Sequence, residues 1–343
     1  MSIANSDDLL LITGSNGFIG SKVVESLIQR GYSNLRCFVR PSSDISQLEA
    51  ICSRTAAKIQ IFKGNLLSRR NCAEAVKDVA LVYHLAAGME KTYAGCFMNS
   101  VVATRNLLDA IVARGQVRRF VNVSSFAVYS NWSLPRGGLL DESCALETKL
   151  VERAEPYTFA KLRQDQLVAE YAEKYGLPFV TMRPGAVYGP GTRSISARVG
   201  IDTFGVFLHM GGANRIPLTY VENCAEAIAL GGVAAGAEGK VFNIVDDDLP
   251  TSREFLRMYK NKGKKFASLF IPYWLSYRLC CLWEWYSHWS EGQLPPAFNR
   301  WRCAAYWKGN RYSNARLKQL GWTPRVSFAE GADRFFAYVR ESR

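Results

Sequence analysis

The segment LLLITGSNGFIGSKVVESLIQRG, residues 9–31, joins an apolar run of strand character to an amphipathic helical pattern through three glycines, Gly14, Gly17 and Gly20. Glycine at these places lets the chain turn tightly and bring its backbone close to a pyrophosphate. The charge of that group is met by the N–H groups and positive dipole at the start of the helix. A glycine trio alone says little. Between a strand and a helix it predicts a dinucleotide-binding turn, to which Asn16, Phe18 and Ile19 also belong.

Outward from this unit the pattern repeats. Apolar runs at LRCFVR (35–40), LVYHLAA (81–87) and RFVNVSS (119–125) alternate with helical patterns such as NLLDAIVARG (106–115). Such alternation predicts an α/β fold, a Rossmann-type doubly wound parallel sheet with helices on both faces. It covers residues 1–180, with return segments near 183–191 and 216–245. Residues 181–343, whose rhythm is looser, read mainly as a smaller C-terminal substrate domain. A chain of 343 residues, 48% of them hydrophobic, can bury a large core.

Composition narrows the function. The stretch MSIANSDDLLLITGS shows no basic start followed by an apolar stretch, so secretion by that route is not expected and a cytoplasmic place is. The nine cysteines form no C-x-x-C pair and no cluster with His84, His209 or His288, which predicts reduced thiols and no structural metal. A net charge of +13 favours anionic partners. No basic stripe or recognisable module points to nucleic acid, so a small-molecule substrate is expected instead.

PYTFAK, residues 156–161, carries the chemistry. Pro156 suits the first turn of a helix, and on that helix Tyr157 and Lys161 share a face. An ammonium beside a phenol favours the phenolate and lowers its pKa, so the pair can move a proton. The second strand of a dinucleotide fold often ends in a carboxylate that binds the ribose 2′-hydroxyl, yet here it ends in Arg40. An arginine suits a 2′-phosphate, which favours NADP over NAD. Arg36 is the alternative if it faces the same way.

These motifs, with HLAAG (84–88), NSVVATRNLLDA (99–110), VNVSSFAVYS (121–130) and RPGAVYGPG (183–191), resemble the extended short-chain dehydrogenase/reductase family. That family includes the NAD-dependent epimerase/dehydratase group and the 3β-hydroxysteroid and sterol dehydrogenase branch, which the C-terminal half resembles most. The resemblance implies that Tyr157 is the general acid/base, Lys161 its partner and a holder of the nicotinamide ribose, and Ser125 the hydroxyl that binds the reacting oxygen, with Ser124 the competitor. It implies a catalytic-site place for Asn99, although Ala103 stands where glycine is usual. It also implies cofactor contacts at Asn65, Leu66, Ala86, Ala87, Pro184 and Val187, with Asn65 replacing a common aspartate. Ser125 is followed by Phe126 and Ala127 rather than the acidic pair of sugar 4,6-dehydratases, so a dehydratase is not expected. The family often dimerises through the helices carrying Asn99 and Tyr157.

The leading functional reading is an NAD(P)-dependent oxidoreductase that interconverts a secondary alcohol and a ketone on a bulky, sterol- or lipid-like substrate. The alternatives are a nucleotide-sugar epimerase or reductase, and a non-catalytic NAD(P)-sensing protein. The aromatic stretch from Phe266 to Trp289, preceded by Arg257, Lys260, Lys262, Lys264 and Lys265, has two readings. One is a cap over the substrate pocket, buried against the cofactor domain. The other is peripheral membrane association through residues 257–289.

Overall fold

A computed structural model of the chain describes residues 2–192, 195–203, 205–291 and 293–341. Among the described residues the central sheet has seven strands: β1 (Leu10–Thr13), β2 (Asn34–Val39), β3 (Lys58–Lys63), β4 (Leu81–His84), β5 (Arg119–Val123), β6 (Phe179–Pro184) and β7 (Val241–Ile244). Their order is β3-β2-β1-β4-β5-β6-β7, and every neighbouring pair is parallel. This is the Rossmann-type doubly wound sheet. Its strand order reverses between β1 and β4, and in such sheets a ligand sits in the crevice beyond the strand ends at that reversal.

Both faces of the sheet are covered. The central strands are therefore buried without interruption, as β1 and β4 are along their whole length. Helices α1 (Phe18–Gln29), α2 (Ala103–Arg114), α3 (Pro156–Tyr175) and α4 (Val221–Val233) supply the cover. Successive strand residues point to opposite faces. Leu10 and Ile12 accordingly join one core with Val23, Val24 and Leu27 of α1 and Ile228 of α4, while Leu11 joins another with Leu107 and Leu108 of α2 and Leu167 of α3.

α4 lies tight on the sheet because its contact face is small. A Cβ at Gly232 would fall 2.2 Å from the Tyr83 hydroxyl oxygen, and one at Gly231 would fall 2.5 Å from the Met182 sulfur.

The C-terminal part adds helices α5 (Tyr273–Trp289), α6 (Arg300–Trp307) and α7 (Phe328–Glu341). It also adds a small sheet in which Val206–His209 pairs antiparallel with Gly200–Thr203 and parallel with Ser268–Phe270. Its aromatic core brings Tyr188 and Tyr220 against Phe255, Phe335 and Phe336. The expected cap buried against the cofactor domain is not what α5 forms. Trp274, Trp285 and Trp289 are exposed, and the helix packs through its other side on α6. All nine cysteines are free thiols.

Candidate active site

The crevice at the β1/β4 reversal is a cavity of about 280 Å³. Gly14 enters its turn with φ +68°, a left-handed conformation that a side chain resists, and a Cβ there would come within 2.9 Å of the Ala86 nitrogen. The Gly17 N–H donates to the Gly14 carbonyl at 3.0 Å and closes the turn, and no side chain caps the first turn of α1. Gly20 works differently from its neighbours: a Cβ there would lie 2.0 Å from the Gly14 oxygen, so it permits helix and turn to touch and does not line the cavity.

Of the residues expected at the cofactor, Gly14, Asn16, Gly17, Arg40, Asn65, Leu66, Ala86 and Ala87 line the cavity, and Asn99 joins them. Phe18, Ile19, Pro184 and Val187 do not line it, and neither do Tyr157 and Lys161. Phe18 instead packs against Gly191, and Val187 fills space between two hydrophobic cores. The bare turn, the uncapped helix start and the glycine cradle fit a dinucleotide. Gly14, Gly17 and the α1 N–H groups would hold its pyrophosphate.

The two arginines differ in their partners. The Arg36 guanidinium donates to the Ala75 and Lys77 carbonyls at 2.7 and 2.8 Å and to the Gln60 side chain at 2.8 Å, and it is no part of the cavity. Arg40 is exposed on the cavity edge. The Asn65 side-chain oxygen accepts the Leu67 N–H at 2.9 Å, so it braces its own loop.

β5 and α3 bring the reacting groups together. Tyr157, in the first turn of α3, is hydrogen-bonded to Ser125 just past the end of β5. Ser124 points the other way and donates to Asp165 at 2.7 Å, which leaves Ser125 as the hydroxyl at the tyrosine. Burial pushes the Tyr157 phenol up to about 12, against the opposing pull of the Ser125 hydrogen bond. This corrects the expected lowering by Lys161. The buried ammonium donates to the Val123 carbonyl at 2.6 Å and to the Gln164 side chain at 3.2 Å. Burial brings Lys161 down to about 8, and the Asp165 carboxylate opposes that shift. At neutral pH these shifts leave the phenol protonated and Lys161, one helical turn further on, a cation.

A buried network fixes this lysine. Asp165 accepts from Ser124, from Asn122 at 2.7 Å and from Arg183 at 3.1 Å, while Gln164 donates to Asn122 at 2.9 Å. The sequence reading missed Asp165 and Gln164, although Asp165 continues the four-residue spacing of Tyr157 and Lys161 along one helix face. Glu90 was missed as well. It lines the cavity and accepts from Asn99 at 2.6 Å. His84 is structural: both ring nitrogens are hydrogen-bonded, to Thr13 and Thr104 at 2.8 Å each, and burial brings it down to about 3. Among the described residues no group of His, Cys, Asp or Glu is arranged to hold a metal ion.

Sheet and glycine turn are those of the extended short-chain dehydrogenase/reductase family. Residues 10–244 match the NAD dependent epimerase/dehydratase family, and the chain belongs to it. One relative is a trifunctional UDP-glucose 4,6-dehydratase/UDP-4-keto-6-deoxy-D-glucose 3,5-epimerase/UDP-4-keto-L-rhamnose-reductase of Arabidopsis thaliana. It is 30% identical over 94% of this chain, which spans only 45% of that protein. The sterol-4-alpha-carboxylate 3-dehydrogenase, decarboxylating, of Mus musculus is 24% identical over 94% of this chain and 88% of its own. Among solved structures, the UDP-glucuronic acid 4-epimerase of Bacillus cereus in complex with UDP-glucuronic acid and NAD superposes with a TM-score of 0.72. It is 19% identical and covers 98% of this chain and all of its own, a likeness of fold.

Proposed function

We propose that the chain interconverts a secondary alcohol and a ketone on a bulky, lipid- or sterol-like substrate with NAD(P). The observation that carries this reading is the meeting of Tyr157 with Ser125 at the end of β5, one helical turn from the buried Lys161. In reduction, Ser125 and Tyr157 bind the carbonyl oxygen, and the tyrosine gives it a proton as hydride reaches the carbon. Bound in the glycine cradle, a nicotinamide would supply that hydride or, in the reverse direction, take it up. Arg40 on the cavity edge supports a preference for NADP through its 2′-phosphate. A homodimer through α3 and the Asn99 segment belongs to the same proposal, where Tyr93, Phe97 and Met98 are exposed.

Substrate class rests on a second cavity of about 350 Å³ between α5, α6 and the small sheet. Ile201, Cys280, Phe298, Cys303 and Trp307 make it largely apolar. Tyr306 lines it and is hydrogen-bonded to Glu155, two residues before Tyr157. Among its described lining residues the cation is Arg302, engaged by the Ala297 carbonyl at 2.6 Å and 3.9 Å from Glu155, which counts against a diphosphate there. The end-to-end match to the mouse sterol dehydrogenase supports the same class.

A nucleotide-sugar epimerase or reductase is the second reading, favoured by the plant relative and by the fold shared with the UDP-glucuronic acid epimerase. Nicotinamide absorbance followed with sterols, 3-oxo acids and nucleotide sugars separates the two. Turnover with sterols or 3-oxo acids supports the first reading, and turnover with UDP-sugars alone replaces it with the second.

A further inference from the structure

We propose that the outward face of α5, with the adjoining strand Ser268–Phe270, docks on an anionic phospholipid surface. The helix is apolar on its outward side as well as its inward one. Trp274, Arg278, Leu282, Trp285 and Trp289 follow one another at four, four, three and four residues, which places them along one line of the helix. Of these, Trp274, Leu282, Trp285 and Trp289 are 66, 60, 63 and 68% exposed. The side turned to the protein packs Tyr273, Leu275, Tyr277 and Cys280 into a hydrophobic cluster with Cys303 and Trp307, beside the buried Ser276 and Ser287 and Glu284, held by Arg300 at 3.4 Å. A helix that only rests on a protein core is polar on its outer side, and α5 is not.

The apolar face continues into Leu269 and Phe270, which are 58 and 48% exposed. A patch of this extent on a protein surface marks an interaction site.

Charge selects the occupant. Lys264 and Lys265 are exposed just before the strand, the Arg253 guanidinium lies 5.7 Å from the Phe270 ring centre, and Arg278 stands within the tryptophan line. The acidic residues between 253 and 289 are Glu254, held in its own helix cap, and Glu284, paired with Arg300. Tryptophan favours the headgroup boundary, and basic residues beside it are drawn to anionic lipid. A second copy of the chain would instead bring the same cations face to face. Among the described residues no helix is long and apolar enough to cross a membrane, so α5 lies on the surface.

The opposite side of α5 supplies Cys280 to the apolar cavity that Tyr306 lines. The docked face and the cavity thus share one helix. Docking itself does not rest on the lipid-substrate reading.

Flotation of the full chain with vesicles of phosphatidylcholine, with and without phosphatidylserine, tests the proposal. The protein floats with the phosphatidylserine vesicles at low salt. Trp285→Ser with Trp289→Ser lowers the partition at least about tenfold, while Lys264→Gln with Lys265→Gln weakens it by about tenfold or more and high salt does the same. Unchanged far-ultraviolet dichroism in both variants shows that folding is retained. A protein that stays in the aqueous layer with anionic vesicles, or floats equally well after the tryptophan changes, overturns the proposal. So does a dimer, seen by sedimentation velocity, that the tryptophan changes dissolve.

Discussion

At the scale of single residues, two buried groups govern the chemistry. Tyr157 is held up near 12 and Lys161 down near 8, so the pair is set to donate a proton at neutral pH. The proposed reduction should then show a kcat/KM that is level through neutral pH and falls above about pH 8 as Lys161 loses its charge. A profile flat to about pH 10 would remove Lys161 from the proton path. The same shift affects stability. Folded Lys161 gives up its proton below the range where the unfolded chain does, so between about 8 and 10.5 the unfolded chain binds more protons. This group therefore adds stability as pH rises through that window, and below it imposes a constant penalty. Arg40 governs cofactor choice: Arg40→Ala should cost NADPH about 1.5 to 3 kcal/mol of binding, the scale of a charged hydrogen bond, and leave NADH little changed. Titration of both cofactors by fluorescence checks this, and equal losses would place Arg40 away from the 2′-phosphate. The meeting of Tyr157 with Ser125 could be expected because both sit in short motifs that resemble those of the family. The pKa of Tyr157 could not, because it depends on how deeply β5 and α3 bury the hydroxyl.

At the scale of elements, packing positions these residues. Asp165 ties α3 to β5 and β6 through Ser124, Asn122 and Arg183 inside the core. Asp165→Ala leaves the Arg183 cation buried without its carboxylate and should destabilise the chain by about 3 to 5 kcal/mol. A urea midpoint close to that of the parent would contradict this. Gly232→Ala should cost about 1 to 3 kcal/mol, because the added carbon meets the Tyr83 hydroxyl at the α4–sheet contact. The strand–glycine turn–helix unit and the strands of the first half could be read from sequence, since each is a continuous apolar run bounded by a helical pattern. The small sheet of Gly200–Thr203, Val206–His209 and Ser268–Phe270 could not. Its strands are three or four residues long, and one partner lies some sixty residues away, so no local pattern announces the pairing. The aromatic run at 266–289 was visible as composition alone. Which side of α5 faces outward depends on its packing against α6.

At the scale of the whole molecule, the cofactor cavity lies at the sheet's reversal and the apolar cavity lies in the C-terminal part. The residues preceding Tyr157 touch the second cavity through Glu155 and Tyr306. The N-terminal cradle was legible because dinucleotide binding makes demands on the backbone that only glycine meets. The substrate was not, because its pocket is assembled from segments far apart in sequence, each unremarkable alone. The central claim is that Tyr157 exchanges the proton while hydride moves between cofactor and substrate. Its most direct test is stopped-flow nicotinamide absorbance under single-turnover conditions, with the substrate found in the panel, comparing the parent chain with Tyr157→Phe. The account predicts a variant that folds and binds cofactor as the parent does but transfers hydride at least about 100-fold more slowly. Transfer at the parent rate in that variant would contradict it.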